Sequence, residues 1–391
     1  MLAMAQFGLV DIQSVARIIL AVILDGKKLG AADLRRISHV VTEGGLIAFP
    51  TDTVYGLGCS AFDETAIARV YALKKRRKTK PLVLFVPRKT SVNRYARPNA
   101  AARRLMQRFL PGPLTVVMEH SDASPLALVD SKGRIGVRIP GHEVMLKILK
   151  ALNTPLATTS ANPSGEDEAI TAANVASRFA DEELEVIIDG GKCDGPASTV
   201  IDVTTTPPTL LRKGSVPIAD IEKALGSDIK MGEGVHLLVL FVCTGNSCRS
   251  PMASGFLRRS LSSKTRRKVR VMSAGTHASL GFPPTKLARR AAEAQNVNIS
   301  LYRSQPLTRE ILKEADLVLA FEPQHLERIS RLLPDACTRS FLLKRFRKDI
   351  NVRDATIADP IAGGWETYQK SMDEIMANMG PVAEYLEGKF A

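Results

Sequence analysis

Short apolar runs alternate with amphipathic stretches through the first half of the chain. Helical periodicity is found over residues 65–73, 100–109 and 144–152. Strand-like apolar runs lie at residues 46–49, 82–86, 114–118, 135–139, 156–159, 186–188 and 199–203. Because helices that flank a sheet each bury one apolar stripe, this alternation predicts an α/β domain over residues 29–225, preceded by an extension of residues 1–28.

A second α/β pattern follows a polar, glycine-rich segment, GSDIKMGEG, at residues 226–234. Residues 236–242 form a continuous apolar run, which is typical of a strand buried on both faces of a parallel sheet. Further strands are predicted at residues 269–272 and 317–320, and helices at residues 251–261, 284–294, 308–313 and 368–390. We therefore predict a linker at residues 226–235 and a doubly wound α/β domain at residues 236–391.

The composition of the 391 residues is that of a globular protein. Hydrophobic residues make up 45% and charged residues 24%, which excludes a low-complexity, collagen-like or coiled-coil chain. No apolar run approaches the ~20 residues that span a bilayer, and no secretory signal is recognisable. Five cysteines make no disulfide framework, so we expect a cytoplasmic protein that is not attached to a membrane.

The chain carries a formal net charge of +14. Residues 1–230 contribute +6 and residues 231–391 contribute +8, so neither half accounts for the excess alone. A positive charge of this size favours anionic partners such as nucleotides, RNA or phosphoproteins.

The run CTGNSCRS at residues 243–250 directly follows the predicted buried strand, and Pro251 opens the next helix with Ser250 as a suitable N-cap. A loop between a strand and a helix N-terminus points backbone N–H groups inwards and binds oxyanions. Five residues separate Cys243 from Arg249. The loop can therefore place the thiol beneath an anion while the guanidinium binds two of its oxygens.

Cys243 is the predicted nucleophile of this loop. We expect the loop amides, the helix dipole and Arg249 to lower the pKa of its thiol, so that the thiolate can attack phosphorus. Asp359, held extended by Pro360, is the candidate general acid for the leaving group and base for water. Two other interpretations are a buried, inert Cys243 and a metal site shared with Cys248, but no second Cys/His cluster supports a metal.

At these residues the sequence resembles the low-molecular-weight protein-tyrosine phosphatases. The resemblance covers residues 237–386 and includes the loop, the SAGT stretch at residues 273–276 and the Asp359–Pro360 pair. It implies a four-stranded parallel sheet and no cofactor. It also assigns Cys243 as nucleophile, Arg249 as phosphate binder and Asp359 as general acid.

The same resemblance implies roles for other loop residues. Asn246 matches the asparagine that maintains the loop's shape, and Ser250 the hydroxyl that stabilises the thiolate. Cys248 matches a thiol that forms a protective disulfide with the nucleophile. The remaining members of the phosphate loop are Thr244, Gly245 and Ser247.

Two departures from the family concern its substrate. Tyrosine-directed members usually carry a bulky aliphatic residue at the position of Ser247 and an aromatic residue at that of Ile361. The small hydroxyl of Ser247 is closer to the protein-arginine-phosphatase branch, which has threonine there. We hypothesise a phosphoarginine protein substrate, with a tyrosine phosphatase or an arsenate reductase as alternatives. An arsenate reductase needs resolving cysteines after the loop, and only Cys337 lies beyond it.

The first domain has neither a GxxxxGK[ST] nor a GxGxxG motif, so a nucleotide would have to bind by another device. Its densest charged feature is KKRRKTK at residues 74–80, at the end of a predicted helix. These cations either remain solvated and complement the helix dipole or neutralise a polyphosphate. Polar clusters also follow apolar runs at residues 50–56, 112–115, 138–140, 158–162 and 198–202. Each cluster alone is compatible with turn formation.

Together these clusters resemble the YrdC-type threonylcarbamoyl-AMP synthases, over about residues 34–216. The family's K-x-R motif falls on Lys74 and Arg76, its K-P-L on residues 80–82, and its S-x-N on Ser160 and Asn162. The resemblance implies a twisted α/β sheet that condenses L-threonine, bicarbonate and ATP. The products are L-threonylcarbamoyladenylate and diphosphate. The tRNA-modification transferase machinery uses the adenylate to make N6-threonylcarbamoyladenosine in tRNA.

The residue types fit that chemistry. Mg²⁺ would accompany the nucleotide with few protein ligands, and we predict no protein metal site. Predicted ATP ligands are Lys74, Arg76, Lys80, Ser160, Asn162, Ser198 and Arg212. Predicted threonine ligands are Thr51, Thr53, Thr115 and Arg138, the last through a bidentate grip on the carboxylate. A departure is Phe85, where many members have histidine. The alternative for this half is an RNA-binding module without catalysis.

Overall fold

The structure is a computed structural model that describes residues 21–180 and 184–391. Residues 1–20 of the predicted extension lie outside the described residues. The strands are β1 (Val22–Asp25), β2 (Ile47–Phe49), β3 (Gly56–Ser60), β4 (Val83–Phe85), β5 (Ala96–Arg97), β6 (Leu114–His120), β7 (Arg134–Arg138), β8 (Leu156–Ser160), β9 (Val186–Asp189), β10 (Thr199–Asp202), β11 (Thr209–Arg212), β12 (Lys230–Met231), β13 (Leu237–Cys243), β14 (Val269–Gly275), β15 (Leu317–Ala320) and β16 (Ser340–Leu342).

The helices connect these strands and are of ordinary length for a globular protein. They are α1 (Ala31–Thr42), α2 (Glu64–Leu73), α3 (Lys89–Tyr95), α4 (Ala100–Phe109), α5 (Glu143–Leu152), α6 (Ala172–Arg178), α7 (Ile218–Leu225), α8 (Arg249–Ser260), α9 (Ser263–Lys268), α10 (Lys286–Glu293), α11 (Arg309–Glu314), α12 (Pro323–Leu332), α13 (Trp365–Ala377) and α14 (Gly380–Phe390). Across the described ranges, none of these helices has the length and apolar character of a membrane span.

The chain forms two compact units. The N-terminal unit consists of the described residues of Met1–Pro98 and of Phe109–Ala197. The C-terminal unit consists of Asn99–Arg108 and Ser198–Ala391.

The N-terminal unit contains a mixed sheet with the strand order β1-β9-β2-β3-β8-β4-β7-β6, and β5 pairs with β6. Strands β1, β9 and β2 are parallel, whereas β3 is antiparallel to both of its neighbours. Helices α1 and α5 cover one face and bury Ile37, Val41 and Ile148 against Phe49 and Phe85. The predicted α/β class is confirmed for this half.

Strand β3 was not predicted because its sequence, GLGCS, lacks the β-branched and aromatic residues that mark strands. Its glycines are required by packing. A Cβ atom on Gly56 would lie 2.4 Å from the ring of Phe49, and one on Gly58 would lie 2.8 Å from the backbone oxygen of Ala157. The glycines therefore let the Phe49 ring and strand β8 lie against β3.

The C-terminal unit contains a four-stranded parallel sheet with the order β14-β13-β15-β16. Strand β13 is fully buried, as its continuous apolar run predicts. One apolar cluster packs α11 and α12 against the sheet through Leu312, Ile329 and Val318, and α8 contacts β13 and β14. The predicted doubly wound parallel fold is confirmed. In the predicted linker, β12 pairs with β11.

Candidate active sites

The loop at residues 243–250 lies between the last residue of β13 and the first turn of α8. Asn246 holds it in shape. Its backbone is left-handed, with φ of +52°, and its side-chain amide donates to the hydroxyls of Ser250 and Ser273 at 2.8 Å each. Its side-chain oxygen accepts from the backbone N–H of Gln305 at 2.9 Å. These three hydrogen bonds offset the strain that a left-handed asparagine carries.

The Cys243 thiol is buried at the base of the loop, and its sulfur lies 2.9 Å from the Ser250 hydroxyl. That hydroxyl also accepts from Asn246, so Asn246 positions it beside the sulfur. Burial raises the pKa of the Cys243 thiol, while the Ser250 hydroxyl and the Arg249 charge act to lower it. The prediction that the loop lowers the pKa of the Cys243 thiol is therefore wrong, because burial raises it.

Burial is the largest cause of this difference, and the Arg249 charge does not outweigh it. The Arg249 guanidinium is fully buried and ion-paired with Glu322 at 2.6 Å and with Asp359 at 2.5 Å. Two carboxylates thus offset the positive charge that would otherwise stabilise a thiolate. The Nε of Arg249 is buried and has no hydrogen-bond partner among the described residues, which leaves one N–H free for a phosphoryl oxygen.

Sequence reasoning missed Glu322 and His325. His325 is buried, and its Nδ1 accepts from the Glu322 backbone N–H at 3.1 Å. Its proton therefore resides on Nε2, which lies 3.0 Å from the Thr244 hydroxyl. Burial and the nearby Arg249 lower the pKa of His325 to about 4, so the ring is neutral at physiological pH. The spacing of an N-cap glutamate and a histidine three residues later, after a buried strand, is the signal for this pair.

The other loop residues line the site's rim. Cys248 is buried, and its sulfur contacts the Tyr368 hydroxyl at 3.3 Å. Gly245 and Ser247 are half-buried, and the Ser247 carbonyl accepts from the backbone N–H of Thr285 at 3.0 Å. Asp359 is more accessible than Arg249, with 30% of its side chain exposed, as suits a group that exchanges protons with substrate and water.

In the N-terminal unit, Lys74 follows the last residue of α2 and is only 1% exposed. Its ammonium group donates to the backbone oxygens of Ser160 and Asn162, and the Asn162 side-chain oxygen lies at 3.5 Å. Burial, reinforced by nearby Arg76, lowers the pKa of Lys74 to about 7. The interpretation of Lys74 as a solvated helix-end cation is therefore wrong.

Arg76 and Lys80 lie in the turn that follows Lys74. The Arg76 guanidinium is half-buried and donates to the backbone oxygens of Lys80 at 3.0 Å and Pro81 at 3.2 Å. The Lys80 residue is exposed. Lys74, Arg76 and Lys80 are thus buried, half-buried and exposed, respectively.

Arg138 is the centre of a second polar group in this unit. It is 4% exposed, and it donates to Asp52 at 2.6 Å, to the Thr53 hydroxyl at 3.2 Å and to the Gly112 carbonyl at 3.1 Å. The Phe85 ring lies under the guanidinium. The predicted bidentate grip on a carboxylate would replace part of this network.

Asp52 was not predicted from the sequence. Its Oδ2 is buried and has no hydrogen-bond partner among the described residues, and its Oδ1 accepts from Gly141 as well as Arg138. An unpartnered carboxylate oxygen beside Arg138 is suited to a cationic donor such as an ammonium group.

The predicted threonine ligands surround this group. The Thr51 hydroxyl lies 3.0 Å from that of Thr53 and donates to the Val54 carbonyl at 2.6 Å. Val116 pairs with Val137 across β6 and β7, so buried Thr115 lies level with Arg138. Tyr55 links the polar group around Arg138 to the one around Lys74. Its carbonyl accepts from the backbone N–H of Ala161 at 2.8 Å, within the turn that binds Lys74.

Two predicted ATP ligands lie in the C-terminal unit. Ser198 is buried and immediately precedes β10, and Arg212 is the last residue of β11. The Arg212 guanidinium donates to the Ser198 carbonyl at 2.9 Å and to its hydroxyl at 3.0 Å. The structure thus brings these two residues together.

Two family models match separate parts of the chain, and the first of them includes residues 99–108 and 198–214 of the C-terminal unit. Residues 39–214 match the Sua5/YciO/YrdC family model, described as telomere recombination. Residues 238–390 match the model of low molecular weight phosphotyrosine protein phosphatases.

Two curated relatives match the N-terminal half. The N-terminal half is 40% identical over 205 residues to threonylcarbamoyl-AMP synthase from Pyrococcus abyssi. The match covers 52% of this chain and 60% of the length of that relative. It is 32% identical over 191 residues, 49% of this chain, to the putative enzyme of Methanocaldococcus jannaschii, of which it covers 89%.

Two solved structures also align with the chain. The crystal structure of P. abyssi Sua5 complexed with L-threonine aligns with a TM-score of 0.52 and 27% identity, over 82% of this chain and 99% of that chain. The arginine phosphatase YwlE from Geobacillus stearothermophilus aligns with 33% identity and a TM-score of 0.35, over 39% of this chain and 94% of that chain.

Proposed function

Because the chain belongs to the Sua5/YrdC threonylcarbamoyl-AMP synthase family through its N-terminal half and to the low-molecular-weight phosphatase family through its C-terminal half, we propose that it is a bifunctional enzyme. The N-terminal unit converts L-threonine, bicarbonate and ATP to L-threonylcarbamoyladenylate and diphosphate. The C-terminal unit hydrolyses a phosphorylated protein side chain through Cys243. Both activities take place in the cytoplasm.

The observation that carries the synthase proposal is the burial of Lys74 against the Ser160–Asn162 turn. Transfer of the adenylyl group to the threonylcarbamoyl carboxylate breaks the α–β phosphate bond, and the leaving diphosphate needs cations around it. Lys74, Arg76 and Lys80 supply these, and Mg²⁺ bound to the phosphates supplies further charge.

Threonine binding is proposed for the group around Arg138. Thr51, Thr53 and Thr115 present hydroxyls, and the unpartnered Asp52 oxygen is available for the amino group before it is carboxylated. The solved complex of the Pyrococcus relative with L-threonine supports threonine as the substrate. The adenylate would then pass to the transferase machinery that modifies tRNA.

The phosphatase step follows from the loop's geometry. The Cys243 thiol passes its proton to an oxygen of the bound phosphoryl group, the resulting thiolate attacks phosphorus, the bond to the leaving group breaks, and Asp359 donates its proton to that group. A bound phosphoryl group would lie beside the Arg249 guanidinium, which Glu322 and Asp359 already contact. Asp359 then takes a proton from water, which attacks phosphocysteine and releases inorganic phosphate.

We propose phosphoarginine over phosphotyrosine as the phosphatase substrate. Ser247 is small and half-buried at the loop, and Ile361 is 56% exposed. Neither supplies the flat apolar wall that would bind a phenyl ring on both faces. A hydroxyl at Ser247 suits a leaving group that carries N–H donors.

The Ser247→Ile variant tests this preference. An added aliphatic wall should shift the ratio of kcat/KM values toward a phosphotyrosine peptide by about tenfold or more, since burying such a side chain contributes about 1.5–3 kcal/mol. Ser247→Thr, which keeps the hydroxyl, should leave the ratio close to that of the wild type. A wild-type protein that itself favours phosphotyrosine over phosphoarginine would contradict the proposal.

Mass detection of L-threonylcarbamoyladenylate tests the synthase proposal directly. The full chain, incubated with L-threonine, bicarbonate and MgATP, should form the adenylate, and omission of threonine or bicarbonate should abolish it. The alternative RNA-binding module predicts tight tRNA binding in filter assays with no adenylate and no diphosphate.

The pKa of Lys74 predicts a pH dependence of ATP use. Because burial lowers this pKa to about 7, the free enzyme loses the Lys74 charge as pH rises above 7. Binding of the polyanion to the protonated form then requires proton uptake, so KM for ATP should rise by up to about tenfold per pH unit. Lys74→Arg, which stays charged, should show no such rise. A KM that is constant between pH 6.5 and 9 in the wild type would show that Lys74 is not a phosphate-binding cation.

A further inference from the structure

The positive charge of the C-terminal unit is concentrated in one segment. Residues 234–292 contain eleven arginines and lysines and no aspartate or glutamate. Residues 293–391 contain thirteen cations and fifteen acids, so they are slightly negative. The excess charge after residue 233 therefore arises in this acid-free segment, of which Arg249 alone belongs to the phosphatase loop.

Most of these cations lie far from the phosphatase loop. Helix α8 begins at Arg249 in the loop and runs for 12 residues, which is about 18 Å of helix. Its last turn carries Arg258 and Arg259, and α9 follows directly. Strand β14 pairs Gly275 with Cys243 at the loop end of the sheet and begins at Val269 about 20 Å away. The cations thus cluster at the opposite end of the sheet.

Hydrogen bonds join the cations into one surface, which we call the α8–α9 basic patch. Arg266 donates to the carbonyl of Arg259 at 3.3 Å, and Arg258 donates to that of Val271 in β14 at 2.5 Å. Arg270 points outwards from β14 between two buried valines. The exposed members of the patch are Arg258, Arg259, Lys264, Arg266, Arg267 and Arg270.

The patch is only partly neutralised within the described part of the chain. Glu314 approaches Arg270 at 3.9 Å with both side chains 66% exposed, and Glu387 accepts from Ser262 and Thr265 at the start of α9, near Lys264. Cations near the ends of α8 and α9 complement the helix dipoles. That effect does not account for Arg270 or for the absence of acids over 59 residues. A surface of this kind is suited to a polyanion.

We propose that the α8–α9 basic patch binds structured RNA through its phosphate backbone. Arginine predominates, and its planar guanidinium binds phosphate in bidentate fashion. Residues 257–270 expose no large apolar side chain, whereas a membrane-binding surface needs one to insert. The choice of RNA over an acidic protein rests on the proposed role of the N-terminal unit in tRNA modification.

Fluorescence anisotropy with a labelled, unmodified tRNA transcript tests the proposal on the full chain between 50 and 300 mM KCl. The patch variant is Lys264→Gln/Arg267→Gln/Arg270→Gln. Removal of three phosphate contacts should reduce the slope of log K against log salt by about three and weaken binding at least about tenfold at ~100 mM salt. The matched control, Arg35→Gln/Arg36→Gln/Arg328→Gln, removes three exposed cations elsewhere and should leave slope and affinity unchanged.

Three outcomes would overturn the proposal. The patch variant and the wild type could bind tRNA with the same slope, or poly-L-glutamate could compete as well as tRNA at equal charge, which would indicate an acidic protein partner. Binding to anionic phospholipid vesicles in preference to tRNA would indicate a membrane. Adenylate formation without RNA and aryl phosphate hydrolysis, measured on the same preparations, report separately on the proposed function.

Discussion

Replacement of Cys243 by serine should reduce aryl phosphate hydrolysis by at least about 10⁴-fold, to the background rate. The sulfur lies at the base of the loop, 2.9 Å from the Ser250 hydroxyl. A serine hydroxyl in that position keeps its proton at neutral pH, so no anionic nucleophile forms beneath the phosphoryl group. Initial rates with an aryl phosphate at pH 6–8 measure the effect.

Cys337→Ser is the matched control, because Cys337 is exposed and lies outside the loop. It should retain wild-type hydrolysis. The Cys243→Ser protein should still release diphosphate in the presence of threonine and bicarbonate, since its N-terminal unit is unchanged. Residual hydrolysis within tenfold of the wild type would exclude the thiolate mechanism.

The phosphatase loop could be predicted from the sequence because its chemistry is contiguous. A buried strand, the loop and the helix that follows it are all readable from apolar runs and turn chemistry. The helix begins at Arg249, two residues before the predicted start at Pro251. Glu322 could not be predicted in this way. It lies 73 residues after Arg249, and only the pairing of β13 with β15 brings it to the guanidinium. The raised pKa of Cys243 arises from the burial of its thiol in the packed fold, which the loop sequence does not show, and it was therefore predicted in the wrong direction.

The N-terminal unit shows a similar limit. The polar clusters at the strand ends predicted the site residues, and the fold places Thr53 beside Arg138 and Lys74 beside Ser160. Asp52 was passed over because an aspartate between two threonines is ordinary turn chemistry. Its buried, unpartnered oxygen is visible only once Arg138 and Gly141 have been placed around it. Burial, which sets both pKa values and charge balance, is a property of the packed chain.

Lys74→Ala should lower threonine- and bicarbonate-dependent diphosphate release by about 10²–10³-fold, the size of effect seen when one preorganised electrostatic contact is removed from a site. Lys74 is the most buried of the three cations assigned to the triphosphate. Loss of its charge removes a contact that strengthens as negative charge develops on the leaving diphosphate. A coupled diphosphate assay at saturating threonine and bicarbonate measures the effect.

The substitution also leaves the carbonyls of Ser160 and Asn162 without their Lys74 hydrogen bonds, which costs about 1–3 kcal/mol in folding free energy. Calorimetric L-threonine binding therefore has to accompany the rate, to show that the N-terminal unit remains folded. Lys78→Ala, an exposed cation of the same run, is the matched control and should keep most of the activity. If Lys74→Ala binds threonine and releases diphosphate at the wild-type rate, or if Lys78→Ala loses as much activity, the buried lysine is a structural residue and the triphosphate binds elsewhere.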